Sequence, residues 1–254
     1  MRKFVRMKKF ALFISLIVCG MLHAQQAVSP VFGASDERGG IRQDRIRLRG
    51  YIGYGYNYTW GSYADFDIVS RIPLNPNFEM DAGVQLSTAN VYTLSFDARP
   101  KFALPVGEMY LDTRLLYKIV VRDGVHDVGA SFGLGYRMDY VDVQLGAFTR
   151  FMNEFKRPWH SENEIAGEPI SMHYSVEVFV RPRTSIWNLS MRIANYDDFQ
   201  LERVWQPLFM IGGRYRPISH LDVLAEVEIK PTGMFHLNAS FYGVKGRVGV
   251  AWEF

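Results

Sequence analysis

Cysteine is nearly absent: the chain of 254 residues has one, Cys19. That excludes a disulfide framework and a cysteine-built structural zinc site. No sign of charge dominates, with 29 basic against 26 acidic side chains. At 48% hydrophobic and 22% charged residues, the chain is neither low-complexity nor charge-rich enough for disorder. No helical apolar stripe follows residue 25, and the apolar run Phe10 to Val18 is too short to cross a bilayer as a helix. A length of this order fits one large all-β domain or two small ones.

Residues 1–24 read as a leader. Arg2, Lys3, Arg6, Lys8 and Lys9 form a cationic start, Phe10 to Val18 an apolar centre, and Leu22-His23-Ala24 ends in a small residue. This is the secretory signal pattern, with cleavage expected near Ala24. Leu16-Ile17-Val18-Cys19 resembles a lipoprotein cleavage box, but Val18 stands where that box carries a small residue. Removing the leader's five basic residues leaves 24 basic against 26 acidic groups, and no cysteine. The basic character thus belongs to the leader, and nucleic acid is not an expected partner. Gln25–Asp44 is polar and glycine-rich, and reads as a periplasmic lead-in or a small plug.

From residue 45 onward the chain alternates with period two. Ile46, Leu48, Ile52, Tyr54, Tyr56, Tyr58 and Trp60 share one parity, while Arg45, Arg47, Arg49, Gly53, Gly55, Asn57 and Thr59 share the other. Successive side chains of a strand point to opposite faces, so each such segment has one apolar and one polar face. The same pattern recurs around Phe78–Ser87, Glu108–Arg122, Val128–Arg137, Val141–Ala147, Ile170–Arg181 and Leu221–Lys230. Many segments run past the usual five or six residues of soluble strands and reach the roughly 9–11 that a tilted strand needs to span a membrane. The polar face carries both signs of charge deep inside each strand. A closed antiparallel transmembrane β-barrel over residues 45–254 reconciles these facts, with the apolar face toward lipid and the polar face lining a lumen. Short turns at Pro73–Asn77, Leu104–Gly107, Arg137–Tyr140, Arg181–Ser185 and Arg216–His220 alternate with longer polar segments, chiefly Asn153–Pro169 and Asn195–Arg203. A naive count gives thirteen strands. Reading Tyr242–Phe254 as one continuous last strand gives twelve, with ten or fourteen as alternatives, and an even number returns both chain ends to one side.

The chain ends Gly249-Val250-Ala251-Trp252-Glu253-Phe254. Gly249, Trp252 and the terminal Phe254 resemble the β-signal of Gram-negative outer-membrane barrel proteins. The resemblance implies export, outer-membrane localisation, recognition by the barrel-assembly machinery, and a last strand that closes against the first. Lipid is the surrounding partner. Tyr54, Tyr56, Tyr58, Trp60, Trp187, Trp205 and Tyr215 lie near strand ends, where interface girdles belong.

Chemistry-bearing constellations are few. His173, Ser175 and Glu177 share the polar face of one strand, the residue types of nucleophilic catalysis. They faintly resemble the His-x-Ser strand motif of outer-membrane lipid A deacylases, but the Asn that follows there is Val176 here. They are weak catalytic candidates, sharing a lumen-facing parity with Arg181. His160, Glu162 and Glu164 lie in the longest polar segment, where solvated side chains are the plainer reading than a metal site. Gly50, Gly53 and Gly55 lack the third glycine and following helix of a dinucleotide loop. No cofactor is expected. The lumen is expected to carry Arg45, Arg47, Arg49, Glu79, Asp81, Asp97, Arg99, Lys101, Asp112, Arg114, Lys118, Arg137, Asp142, Arg150, Glu177, Arg192, Arg214, Glu226 and Glu228. Such a mixed lining fits either a salt-bridged, nearly closed barrel or a narrow channel. The functions expected are a narrow pore for small polar solutes or a membrane scaffold, then a barrel subunit docking another envelope protein, then a lipid hydrolase. Gln25–Asp44 and Asn153–Pro169 are the segments singled out as candidates to enter the lumen.

Overall fold

The computed structural model describes residues 45–58, 61–121, 124–154, 165–202, 206–232 and 240–254, and of 152–154, 165–169, 232 and 240–242 the backbone alone. The chain divides into two units, Met1–Arg38 and Gly39–Phe254, and every described residue belongs to the second. The leader and the Gln25–Asp44 segment lie outside the described residues.

Twelve strands follow one another: β1 (Arg47–Asn57), β2 (Gly61–Asn75), β3 (Phe78–Ser87), β4 (Val91–Ala103), β5 (Glu108–Val120), β6 (Val125–Arg137), β7 (Val141–Glu154), β8 (Ile165–Phe179), β9 (Trp187–Ala194), β10 (Leu208–Ile218), β11 (Leu221–Thr232) and β12 (Ser240–Glu253). Each pairs with the next, and β12 pairs with β1 from Arg47↔Glu253 to Asn57↔Gly243, so the barrel is closed, although β8 pairs with the shorter β9 only from Ser175 to Phe179. Both chain ends of the barrel fall at one rim. Here that rim is called the terminus side.

The period-two pattern decides which face is wet. Ile52, Phe132, Leu145 and Val248 are outward and more than half exposed. A belt of this kind is tolerable only against lipid or another apolar surface. On the opposite parity Asp67, Asp112, His173 and Asp222 are buried within the barrel.

Several connections differ in detail from expectation. Pro73 is inside β2 rather than in the turn, beside a register shift between Pro73 and Asn75. Lacking an N–H, proline is tolerated where the ladder is already irregular. The turn is closed by Asn77 N donating to Asn75 Oδ1 at 2.8 Å. β7 and β8 run on to Glu154 and from Ile165, so most of the flanks of the expected Asn153–Pro169 loop are paired strand. Residues 155–164 lie outside the described residues. Arg181 does not turn inward: β8 stops at Phe179, and exposed Arg181 stacks over the outward Trp187 ring at 3.8 Å. Arg183, two residues on, is the arginine that lines the lumen.

Candidate functional site

The lumen is where charge is concentrated, and in several of its pairs the cation is the more exposed partner. Arg71 is 26% exposed and its partner Asp81 5%; Arg47 is 11% exposed and Asp222 1%. A carboxylate on one methylene stays at the wall, whereas a guanidinium on three reaches over it toward the axis. The pairs are close. Arg114 Nε donates to Asp97 Oδ1 at 2.6 Å, Arg99 Nε to Asp112 Oδ1 at 2.5 Å and Nη1 to Asp81 Oδ2 at 2.9 Å, and Arg216 Nε to Asp222 Oδ1 at 2.7 Å. Glu79 accepts from Lys101, and Arg137 bridges Asp142 and Glu108. The central space is accordingly bordered by more cations than anions. Ten arginines but only four acidic residues, Asp142, Glu177, Asp198 and Glu226, border a central cavity of about 270 Å³. Arg192 and Arg214, both bordering it, have no carboxylate at salt-bridge distance among the described residues. Arg192 Nε donates to Ser175 Oγ at 2.9 Å, and Arg214 Nη2 to the carbonyls of Arg183 and Ser185. Burial and the nearby Arg137 push Arg183, in the β8–β9 turn, down to about 10, still charged at neutral pH. A second cavity of about 380 Å³, touching Arg45, opens at the terminus side.

The lumen is crossed by a hairpin that leaves the wall at the end of β9. β8 extends beyond β9, which would leave its backbone unpaired. Asn195 repairs this with its side chain: Oδ1 accepts from Tyr174 N and Nδ2 donates to Met172 O, both at 2.8 Å. Glu202 N donates to Asn195 O at 2.7 Å, Tyr196 bridges to Leu201, and Asp197 Oδ1 accepts from Phe199 N at 2.7 Å. The last is an Asx turn, the local preference of aspartate. Asn195–Glu202 is therefore a tight hairpin aimed inward.

Its contacts go most of the way round. Asp198 pairs with Arg49 of β1 at 3.3 Å. Phe199 lies over Gly83 of β3, where an added Cβ would fall 3.0 Å from the ring. Leu201 lies over Gly129 of β6, where a Cβ would be 2.7 Å from Leu201 Cδ1. Arg114 of β5 donates to Asp197 O at 2.6 Å. Tyr196 OH donates to Gln144 of β7. Gln200 Nε2 donates to Glu228 at 3.2 Å, and Lys230 Nζ to Gln200 Oε1 at 2.5 Å, both on β11. Leu116, Phe148, Ala194, Tyr196, Leu201, Leu208 and Met210 form an apolar cluster inside the lumen. Burial disfavours a charged Asp198, but Arg49, Arg114 and Arg247 outweigh it and hold its carboxyl below the usual range. On the far side of the hairpin, between Lys118 and Gln200, lies a crevice of only about 10 Å³.

His173, Ser175 and Glu177 all lie on the lumen face of β8. His173 packs edge-on to Tyr196, ring centroids 3.9 Å apart, and neither of its ring nitrogens has a hydrogen-bond partner among the described residues. Ser175 Oγ is engaged by Arg192 instead. Nucleophile and base are not joined by the hydrogen bond that serine activation uses, and the strand presents them to the lumen rather than to lipid. At the closure, Gly249 pairs with Tyr51 and Leu224. Trp252 and Phe254 face outward, and Phe254 N donates to Ile46 O at 2.9 Å. His160, Glu162 and Glu164 lie outside the described residues. Asn188, in a glycosylation-like triplet, is buried and donates to the carbonyls of Arg181 and Pro182.

Two features escaped the reading of the sequence. The hairpin was visible only as a polar stretch, second in length to Asn153–Pro169. A signal did exist: the inward parity of β5, β7 and β10 is broken by Leu116, Phe148, Leu208 and Met210, apolar residues that only an intraluminal partner would bury. The other is the excess of cations bordering the central space, which alternation cannot express.

In fold, the barrel is similar to two solved porins. The KdgM porin in complex with disordered oligogalacturonate aligns with a TM-score of 0.51 at 10% identity, over 82% of this chain and 99% of that one. The NanC porin aligns with a TM-score of 0.51 at 10% identity, over 82% of this chain and all of the other. No protein-family model matches the chain, and no curated protein matches it by sequence. The chain thus has a twelve-stranded outer-membrane porin fold with an arginine-rich, hairpin-crossed lumen.

Proposed function

We propose that this protein is a channel of the bacterial outer membrane that admits small anionic solutes and is held narrow by the Asn195–Glu202 hairpin. The observation that carries the reading is the central cavity, bordered by ten arginines against four acidic residues. Fixed guanidinium groups at a constriction lower the electrostatic barrier for anions and raise it for cations. The KdgM porin, similar in fold, is described in complex with an acidic sugar oligomer, which fits the same chemistry. Residues 1–24 serve as a leader cleaved near Ala24, and Gln25–Asp44 as a periplasmic lead-in or a small plug. Gly249, Trp252 and Phe254 are the signal read by the assembly machinery. The terminus side then faces the periplasm and the hairpin enters from outside. The test is the reversal potential in a salt gradient across a planar bilayer holding the purified barrel. An anion-selective current is expected, and a cation-selective one overturns the proposal.

The hairpin itself favours one second reading. A lumen crossed from wall to wall suits a barrel that docks another envelope protein. Co-purification of a stoichiometric partner after mild detergent extraction, with no current in bilayers, is the outcome that reading requires.

A further inference from the structure

The ion pairs of the lumen are of two kinds. Most join a guanidinium to a carboxylate buried at the wall, as in Arg114–Asp97 and Arg216–Asp222. Arg49–Asp198 differs in three ways. It rests on a single contact at 3.3 Å, both side chains are 21% exposed, and its carboxylate rides on the hairpin rather than on a strand. A half-buried pair held by one long contact is weaker and exchanges more readily than a fully buried one, whose loss of a partner strands a charge. Arg192 borders the same cavity with no carboxylate at salt-bridge distance among the described residues, although Glu177 and Asp198 act on it from farther away.

We infer that Arg49 and Arg192 form a carboxylate-binding site, that Asp198 occupies it as a tethered stand-in for a solute carboxylate, and that a solute binding there displaces Asp198 and releases the tip of the hairpin. This rests on the channel reading above and adds to it a device by which cargo loosens its own obstruction. The tip is the part loosened: Asp198 sits at the turn, where Phe199 over Gly83 and Gln200 on Glu228 and Lys230 remain as holds, while Tyr196 and Leu201 at the neck keep their separate apolar seat. The tether sets the concentration scale. A carboxylate on a short flexible linker competes as if at roughly millimolar concentration. A monocarboxylate must exceed that, whereas a polycarboxylate that engages Arg49 and Arg192 together competes well below it.

The experiment uses butanetetracarboxylate and acetate at matched ionic strength, with the mature barrel in planar bilayers. The tetracarboxylate raises the open-state population of the native chain by roughly two- to fivefold, the range expected for losing one weak, half-buried pair, and acetate at the same carboxylate concentration does not. Asp198→Asn starts from the raised level and no longer responds. A parallel arm, Gln200→Cys in the mature barrel, which has no other cysteine, follows labelling by a water-soluble maleimide in detergent. Labelling speeds up with the tetracarboxylate when Asp198 is present, and is already fast with Asp198→Asn. Equal responses to the two anions, or labelling indifferent to both anion and Asp198, overturn the inference. Silence of every variant in bilayers overturns the channel reading instead, and the labelling arm still decides whether Asp198 is displaced.

Discussion

Truncating Tyr196 to alanine isolates the hairpin from the barrel that encloses it. The side chain is 3% exposed. Its hydroxyl donates to Gln144, and its ring lies between Arg114 at 4.8 Å and Arg192 at 4.7 Å with His173 against its edge. Removing a buried aromatic of this size costs about 3–5 kcal/mol. None of the barrel's strand ladders runs through residue 196, so the loss falls on docking of the hairpin and not on the wall. At about 1.4 kcal/mol per decade, the ratio of docked to undocked hairpin falls by roughly two to three and a half orders of magnitude. Tyr196→Phe deletes only the hydroxyl contact, about 1 kcal/mol, or roughly fivefold. Single-channel recording should show a graded rise in conductance or open time from native to Phe to Ala. Heat-modifiable gel migration should show an intact barrel in all three. An alanine variant that is folded yet conducts like the native chain would refute a hairpin held by this residue.

Four further outcomes follow from the same geometry. Gly129→Leu places atoms where Leu201 lies and should raise conductance with the barrel still folded; unchanged conductance would show that the lumen has room there. Arg192→Glu reverses a charge that has no carboxylate at salt-bridge distance beside the central cavity, and should move the reversal potential toward cation selectivity, while the same change at outward Arg181 should not. Arg114→Ala leaves Asp97 and Asp112 buried with a lost partner and should destabilise the barrel by about 3–5 kcal/mol in urea unfolding; a loss under 1 kcal/mol would contradict the burial assigned to this cluster. Asp198 is depressed in the folded state by Arg49, Arg114 and Arg247 after burial has worked against it. Its contribution is therefore complete above the unfolded value near 3.9 and is lost as pH falls through the folded one. Open probability should stay flat from neutral pH to about 4 and rise only below; a rise between pH 5 and 6 would assign the latch to another group.

Much of this molecule was legible without coordinates because a barrel obeys a local rule. Lipid outside and water inside force strict alternation on every strand, so residues such as Leu145 and Gln144 declare their faces one by one. Closure by antiparallel pairing all the way round needs an even strand number, and the terminal β12 with Trp252 and Phe254 outward pairs with β1 as the C-terminal resemblance implied. The difficulty began where the rule ends. Asn195–Glu202 contains Tyr196, Asp197, Asp198 and Phe199, which on any outer loop would read as ordinary polar and aromatic surface. Only the wall it meets, with glycines at 83 and 129 and apolar residues at 116, 148 and 210, makes it an intraluminal element.

The amino-acid order alone determined the strands, their faces and the closed cylinder, since each depends on the neighbouring residues and the surrounding solvent. Only the tertiary structure decided whether the lumen is obstructed and what sign it shows to a passing solute. Both depend on distances across the barrel: how far a guanidinium reaches past the carboxylate it neutralises, and which of several polar connections finds apolar wall opposite it.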